Sequence, residues 1–117
     1  MTKNEIDRHL ALAIGYPADR VRNLHGFVQV FNGFSYNHAD GPISYNGWQR
    51  FDHTLPDVIW PIAERFNSFP RRQYNACEFI GWHCWAMCQG YGKHSNPATA
   101  SALAVIAYVK SRRVTHE

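Results

Sequence analysis

The fold is decided by the stretch Asn96-Pro97-Ala98-Thr99-Ala100-Ser101-Ala102-Leu103-Ala104-Val105-Ile106-Ala107-Tyr108-Val109-Lys110. Asn96 can cap the free backbone N–H groups of a helix, and Pro97 suits the first helical position, where no N–H donor is required. Lys110, Arg112 and Arg113 suit the negative C-terminal end of the helix dipole. Because this helix is apolar on nearly every side, we expect it to be a buried central helix or an interface helix.

Length and composition limit the class of protein. The chain has 117 residues, which predicts a single domain over residues 1–117. Its residues are 45% hydrophobic and 15% aromatic, well above the values typical of disordered chains. No apolar run approaches the roughly 20 residues of a membrane span, and the N-terminus lacks the apolar core of a secretion signal. A cytoplasmic protein that does not contact membranes is therefore expected.

The first half of the chain predicts a helix followed by strands. Ile6, Leu10 and Ile14 recur every fourth residue, which indicates an amphipathic helix that ends at Gly15. Residues 18–23 could form one further turn. The next elements are a strand over residues 27–31, a hairpin turn at 32–33, a return strand over 34–37, and a short strand within 43–50 that competes with a turn signal at 46–47.

The second half predicts a helix, strands and the final helix. Thr54 or Leu55 caps a helix that has Pro56 in its first turn, and Pro61 is expected to bend it. The aromatic stretch over residues 73–89 predicts two strands that turn near Gly81, and a single long strand with a bulge is the alternative. This order of elements predicts an α+β domain, in which a small antiparallel sheet is sandwiched or covered by three helices in α-β-α layers.

Two segments together resemble a known family. Residues 51–62 are similar to the "FxP…DAWPI(I/V)" segment of the NinX-like phage proteins, which are related to the phage α-β-α sandwich domains. Residues 96–106 are similar to the closing "NPLRAAMIVFL" helix of that family. The resemblance implies a phage or prophage origin and a layered α-β-α fold, and it supplies no catalytic residues. Small phage accessory proteins often counter host defence, either by enclosing nucleotide signals between subunits or by covering a defence enzyme.

Cysteine and histidine residues offer weak signals for catalysis or metal binding. The chain has three cysteines, Cys77, Cys84 and Cys88, and this odd number favours free thiols over disulfides. In a strand, His83 and Cys84 point to opposite faces, which separates them as metal ligands or as a nucleophile and its base. No metal, cofactor or catalytic residue is predicted. A small hydrolase would depend on the acid and base groups of His38, Asp40 and His53.

Aromatic and basic side chains give the stronger prediction. Four tryptophans and six tyrosines exceed what such a small interior can hold, so some are expected to line a groove or a subunit contact. Rings that can stack on a base and cations that can hold phosphate together suit a nucleotide. The predicted ligand-binding residues are Arg71, Arg72, Trp82, Trp85, Tyr91, Lys93, Arg112 and Arg113.

Three functions follow in order of preference. The first is a phage-type accessory protein that binds rather than catalyses, as a homo-oligomer, and sequesters a nucleotide-like signal of host defence. The second is an inhibitor that occludes a host defence nuclease or signalling enzyme, and the third is the small hydrolase. Nucleic acid is disfavoured as a partner, because the net charge is only +3 and the cations form no continuous stripe along the sequence.

Overall fold

The computed structural model describes residues 1–31, 44–45 and 47–115, and side chains are described for residues 1–31 and 47–112. The predicted turn at 32–33 and the predicted strand over 34–37 lie outside these residues. The described part has the predicted α+β class, with three α-helices and two antiparallel sheets instead of one. The chain divides into two compact units, Met1–Asp52 and His53–Glu117.

The first unit contains one helix and a four-stranded sheet. Helix α1 begins after Thr2, whose Oγ1 accepts a hydrogen bond from the backbone N–H of Glu5 at 3.2 Å, as its capping position requires. A single 3₁₀ turn covers Ala18–Arg20. The elements are α1 (Lys3–Ala13), β1 (Val21–Leu24), β2 (Phe27–Phe31), β3 (Ser44–Tyr45) and β4 (Trp48–Arg50), and the strand order in the sheet is β1-β2-β4-β3.

The inner face of this sheet packs against α1. Val28 and Val30 alternate with more exposed residues along β2 and are buried together with Val21 of β1. Ile6 and Leu10 of α1 are also buried, and α1 contacts both strands. The helix therefore covers one face of the sheet, and the side chains at alternate positions of β2 point away from α1.

A small ion cluster ties α1 to the end of the first unit. Asp7 and Asp52 are both buried, and the ammonium of Lys3 lies 2.9 Å from a carboxylate oxygen of Asp7 and 3.1 Å from one of Asp52. Partial burial lowers the pKa of Lys3, but its hydrogen bonds to the two carboxylates outweigh this effect and raise the pKa above its ordinary value. The ammonium therefore compensates two buried negative charges.

The second unit contains two helices and a three-stranded sheet. The elements are α2 (Pro56–Phe66), β5 (Arg71–Asn75), β6 (Glu78–Ala86), β7 (Gly90–His94) and α3 (Pro97–Thr115), and the strand order is β5-β6-β7. Leu55 precedes α2 at its N-cap and Pro56 opens the helix, as predicted. The α2 helix ends at Asn67, which has a left-handed backbone conformation with φ of 51°.

The strands of the second unit correct the predicted turn at Gly81. Gly81 lies inside β6, which runs for nine residues, and the register with β5 shifts there because Gln73 pairs with Gly81 while Tyr74 pairs with Phe79. The alternative, a single strand with a bulge, holds for Glu78–Ala86 and not for the whole stretch 73–89. The chain turns instead at residues 76–77 and 87–88, all four of which have positive φ.

Helix α3 is the buried helix that the sequence predicted. Asn96 caps it, since its Oδ1 accepts a hydrogen bond from the N–H of Thr99 at 3.2 Å, and almost every residue from 98 to 106 is buried. One side of α3 packs on β6 and β7, and α2 packs against α3 as well. A Cβ on Gly92 would lie 2.5 Å from the main-chain N of Ala104 and closer still to the carbonyl oxygen of Ala100. Glycine is thus required where β7 meets the helix.

Candidate functional site

The sheet of the second unit has an inner face against α3 and an outer face. Cys84 and Ala86 are buried, and Cys84 Sγ lies 3.4 Å from the carbonyl oxygen of Ala100 on α3. His83 and Trp85 alternate with these residues along β6 and point to the other face. Cross-strand partners share a face, so Arg71 and Lys93, which both pair with His83, and Tyr91, which pairs with Trp85, are on the outer face too. We call these five residues the aromatic–cation face.

Three rings on this face contact one another. The ring centroids of Trp85 and Tyr91 are 4.8 Å apart, and those of Tyr91 and His83 are 5.9 Å apart. The hydroxyl of Tyr91 is also 3.2 Å from Nδ1 of His83, a hydrogen bond that fixes the relative orientation of the two rings. Trp85 is 53% exposed and Tyr91 is 38% exposed. The cluster therefore presents aromatic surface to solvent.

Two cationic side chains flank an imidazole in one row across the three strands. Arg71, His83 and Lys93 are successive partners on β5, β6 and β7, and neighbouring strands are about 4.8 Å apart. Within the part of the chain that the structure describes, neither Arg71 nor Lys93 forms an ion pair with a carboxylate. The row lies two residues along β6 and β7 from Trp85 and Tyr91, at the next position on the same face, so the cations and the rings are adjacent.

A surface recess of about 620 Å³ opens at the edge of this face. Its position follows from the end of α2, because the left-handed residue Asn67 and the exposed Phe69 carry the chain from that helix to β5. The recess combines an amide, a guanidinium, an imidazole, two thiols and two large rings. Its lining residues are Asn67, Phe69, Arg71, His83, Cys84, Trp85 and Cys88.

The structure brings together four of the eight predicted ligand-binding residues, Arg71, Trp85, Tyr91 and Lys93. Arg72 and Trp82 pair with each other and share the opposite face, where the guanidinium of Arg72 lies 5.5 Å from the Trp82 ring. Arg112 is on α3 and donates a hydrogen bond to the hydroxyl of Tyr108 at 2.7 Å. These three do not belong to the aromatic–cation face, because strand alternation and the helix place them elsewhere.

Arg113 lies on α3, and its side chain is outside the described ones. Five residues that line the recess were not among the predicted ligand-binding residues, namely Asn67, Phe69, His83, Cys84 and Cys88. The signal available for His83 was its position two residues before Trp85, which places both side chains on one strand face. No local pattern marks Asn67 or Phe69, since their relation to the sheet depends on where α2 ends.

The thiols give no support to a metal centre or a nucleophile. Burial raises the pKa of the Cys84 thiol to about 11, which keeps it protonated at neutral pH. Among the described residues, no group of three potential ligand atoms includes a cysteine. His53 is 1% exposed, and its Nε2 lies 2.9 Å from Oγ1 of Thr99. His38 and Asp40 lie outside the described residues.

No family model, curated protein or solved structure matches this chain. None of the helices in the described part is long and apolar enough to cross a membrane.

Proposed function

We propose that this chain is a phage-type accessory protein that acts by binding, and that its aromatic–cation face holds a nucleotide-like small molecule. The supporting observation is the row of Arg71, His83 and Lys93 beside the exposed rings of Trp85 and Tyr91. Sequestration of a host defence signal in the host cytoplasm, by a homo-oligomer with α-β-α layers, is the biological part of this proposal. That part is supported by the resemblance of residues 51–62 and 96–106 to NinX-like proteins.

The arrangement suits a ligand with one flat end and one anionic end. A base can stack on the exposed indole of Trp85, and such stacking contributes about 1–3 kcal/mol per base. The cation row lies two residues along β6 from Trp85, which is about 7 Å at the usual rise per residue of a strand. A phosphate attached through a sugar to the stacked base reaches over such a span. Arg71 can then donate two parallel hydrogen bonds to it, and Lys93 adds a point charge.

The proposal is tested by a thermal-shift screen with linear and cyclic nucleotides, followed by titration calorimetry on the ligands that raise the melting temperature. Arg71→Gln removes one charge-assisted contact, and we expect it to weaken binding about 10-fold or more. Trp85→Ala removes the stacking platform, and a loss of similar size is expected. Arg72→Gln is the matched control, because it removes the same charge from the adjacent residue on the opposite face. Its affinity should stay within about twofold of the wild type.

Two results would contradict this function. If no nucleotide raises the melting temperature, the proposed ligand class is wrong. If Arg71→Gln and Arg72→Gln lower the nucleotide affinity equally, the proposed site is wrong. A ligand recovered intact from denatured protein supports sequestration, whereas a cleaved product supports the hydrolase. Light scattering tests the homo-oligomer, because a pocket shared between subunits requires at least a dimer.

A second function, inhibition of a host defence enzyme, is favoured by the apolar surface near the same face. Phe69 is 51% exposed, Met87 is 46% exposed and Trp85 is 53% exposed, values that suit a protein contact. In this case no small molecule raises the melting temperature, and a host protein co-purifies with the wild type but not with Trp85→Ala. The buried position of His53 offers the hydrolase no comparable support.

A further inference from the structure

The four-stranded sheet of the first unit carries a second cationic surface, on the side away from α1. Arg22 of β1 and Arg50 of β4 are both cross-strand partners of Gln29 on β2, so the three residues share a face. Val28 and Val30, which alternate with Gln29, are buried on the opposite face. The surface that points away from α1 is formed by Arg20, Arg22, Arg50, Phe27, Phe31 and Trp48, which we call the arginine–aromatic face.

Each arginine of this face lies over an aromatic ring. The guanidinium carbon of Arg22 is 4.1 Å from the centre of the Trp48 ring, and that of Arg50 is 4.0 Å from the centre of Phe27. Arg20 is 5.4 Å from the centre of Phe31. Stacking restricts the rotamers of a long side chain while its N–H edges remain able to donate. Three guanidinium groups are thus held in defined positions on one surface.

The face keeps an excess of positive charge within the described residues. Arg50 has a carboxylate partner, Asp52, at 3.2 Å, but that carboxylate also accepts the ammonium of Lys3. Arg22 donates its Nε–H to the neutral amide oxygen of Gln29 at 2.9 Å. Neither Arg20 nor Arg22 forms an ion pair with a carboxylate in the described part of the chain. The surface therefore complements an anion.

The spacing of the guanidinium groups selects an extended anion over a small one. Arg50 stacks on Phe27, whereas Arg22 stacks on Trp48, the cross-strand partner of Phe31. Phe27 and Phe31 are four residues apart on β2, which is about 13 Å along a strand. Arg20 and Arg22 lie over the neighbouring rings of Phe31 and Trp48, whereas Arg50 lies at the other end of the face. A ligand that contacts all three arginines must carry anionic groups at both ends of this span.

We infer that the arginine–aromatic face binds single-stranded nucleic acid. Repeated phosphates supply the extended negative charge, and unpaired bases can stack on guanidinium planes and on exposed rings. Phe27 is 40% exposed at one end of the face, and the guanidinium of Arg50, which lies over its ring, offers a plane on which a base can stack. An acidic peptide would satisfy the charges but has no flat groups to use the rings. The folded sheet thus brings together cations that are scattered in the sequence.

The test is fluorescence anisotropy of the full chain with a labelled oligo-dT of about 12 nucleotides, within the length that single-strand binding domains cover. Three phosphate contacts predict a log–log salt slope of about −2, so binding should weaken about 20-fold between about 50 and 200 mM salt. Arg22→Gln should weaken binding about 10-fold and reduce the slope by about 0.7. Arg8→Gln, at an exposed position on α1, is the matched control and should stay within about twofold.

Arg20→Gln serves as a second variant if circular dichroism shows that Arg22→Gln does not fold, because Arg20 is exposed on the 3₁₀ turn. Three results would overturn the inference. The first is no binding of oligo-dT at protein concentrations of about 100 μM, where even non-specific complexes form. The others are equal losses of oligo-dT affinity in Arg8→Gln and Arg22→Gln, and displacement of oligo-dT by poly-glutamate at equal charge. Arg71→Gln separates this inference from the nucleotide proposal. If it alone abolishes oligonucleotide binding, the strand binds the second unit and the inference fails.

Discussion

The contact between β7 and α3 predicts that Gly92→Ala destabilises the second unit by about 2 kcal/mol or more. The added Cβ would lie 2.5 Å from the main-chain N of Ala104 and closer to the carbonyl oxygen of Ala100, so strand and helix must separate by about 1 Å. Overpacking typically costs about 1–3 kcal/mol and occasionally more, and the upper end applies here because the atoms that must move are main-chain atoms. A gap of that width also forfeits a quarter to a half of each nearby dispersion contact. Alanine restricts the unfolded chain more than glycine, which offsets only about 0.5–1 kcal/mol.

Urea denaturation followed by circular dichroism and tryptophan fluorescence measures this cost, with the denaturant slope checked for constancy. Gly26→Ala is the control. Its Cβ would meet nothing within 4 Å, and the expected loss of about 1 kcal/mol comes from its φ of +81° alone. Because Gly92 meets main-chain atoms, adding Ala104→Gly should not rescue Gly92→Ala. A loss below about 0.5 kcal/mol, or rescue by the second substitution, would refute the argument for close backbone packing.

Three further predictions concern stability. Burial raises the pKa of Cys84 to about 11. The free energy of unfolding should therefore fall as the pH rises from about 9 to 11, by at most about 2–3 kcal/mol, because the unfolded chain loses the thiol proton first. Urea titrations at several pH values measure this fall, which should be smaller for Cys84→Ala. Lys3→Met should cost about 1–3 kcal/mol in urea denaturation, because the buried carboxylates of Asp7 and Asp52 lose a shared ammonium that is itself 44% exposed. Asn96→Ala should cost about 1 kcal/mol by loss of the α3 cap, and a thermal melt that is unchanged would contradict it.

The helices were predictable because their signals are local. Thr2, Pro56 and Asn96 stand at or next to the observed helix starts, and each acts through backbone groups within the first turn. The burial of α3 followed from its apolar circumference, since no polar side remained that could face water. In these segments, the residues that determine the structure are neighbours in the sequence.

The turns between strands were predicted less well because the chain uses unexpected residues there. Ala76, Cys77, Met87 and Cys88 have φ between 49° and 73°, a region usually occupied by glycine or asparagine. The sequence predicts the turn at Gly81, but this glycine, with a φ of 138°, lies at a bulge within β6. Strand pairing thus overrode the local preference, and no window of sequence contains that information.

The sequence predicted which types of residue form the candidate site, but not which particular residues meet there. An excess of aromatic side chains was evident from composition, and none of the four tryptophans is buried. Which cation joins which ring depends on register, because a shift of one residue would exchange Arg71 for Arg72 on the outer face. The arginine–aromatic face was missed for the same reason, since Arg22 and Arg50 are 28 residues apart in sequence and meet only through β2.

The two cationic faces differ in a way that assigns them different ligands. On the first unit, the guanidinium groups already cover the rings of Trp48 and Phe27, so the groups left to contact a ligand are the outer planes and the N–H edges of those guanidinium groups. On the second unit, no described guanidinium or ammonium stacks on Trp85 or Tyr91, and these rings remain accessible. A surface of fixed donors favours a chain of phosphates, whereas open rings beside cations favour a single base with its phosphate. A mononucleotide should therefore compete poorly with oligo-dT, and strong competition would show that one face binds both.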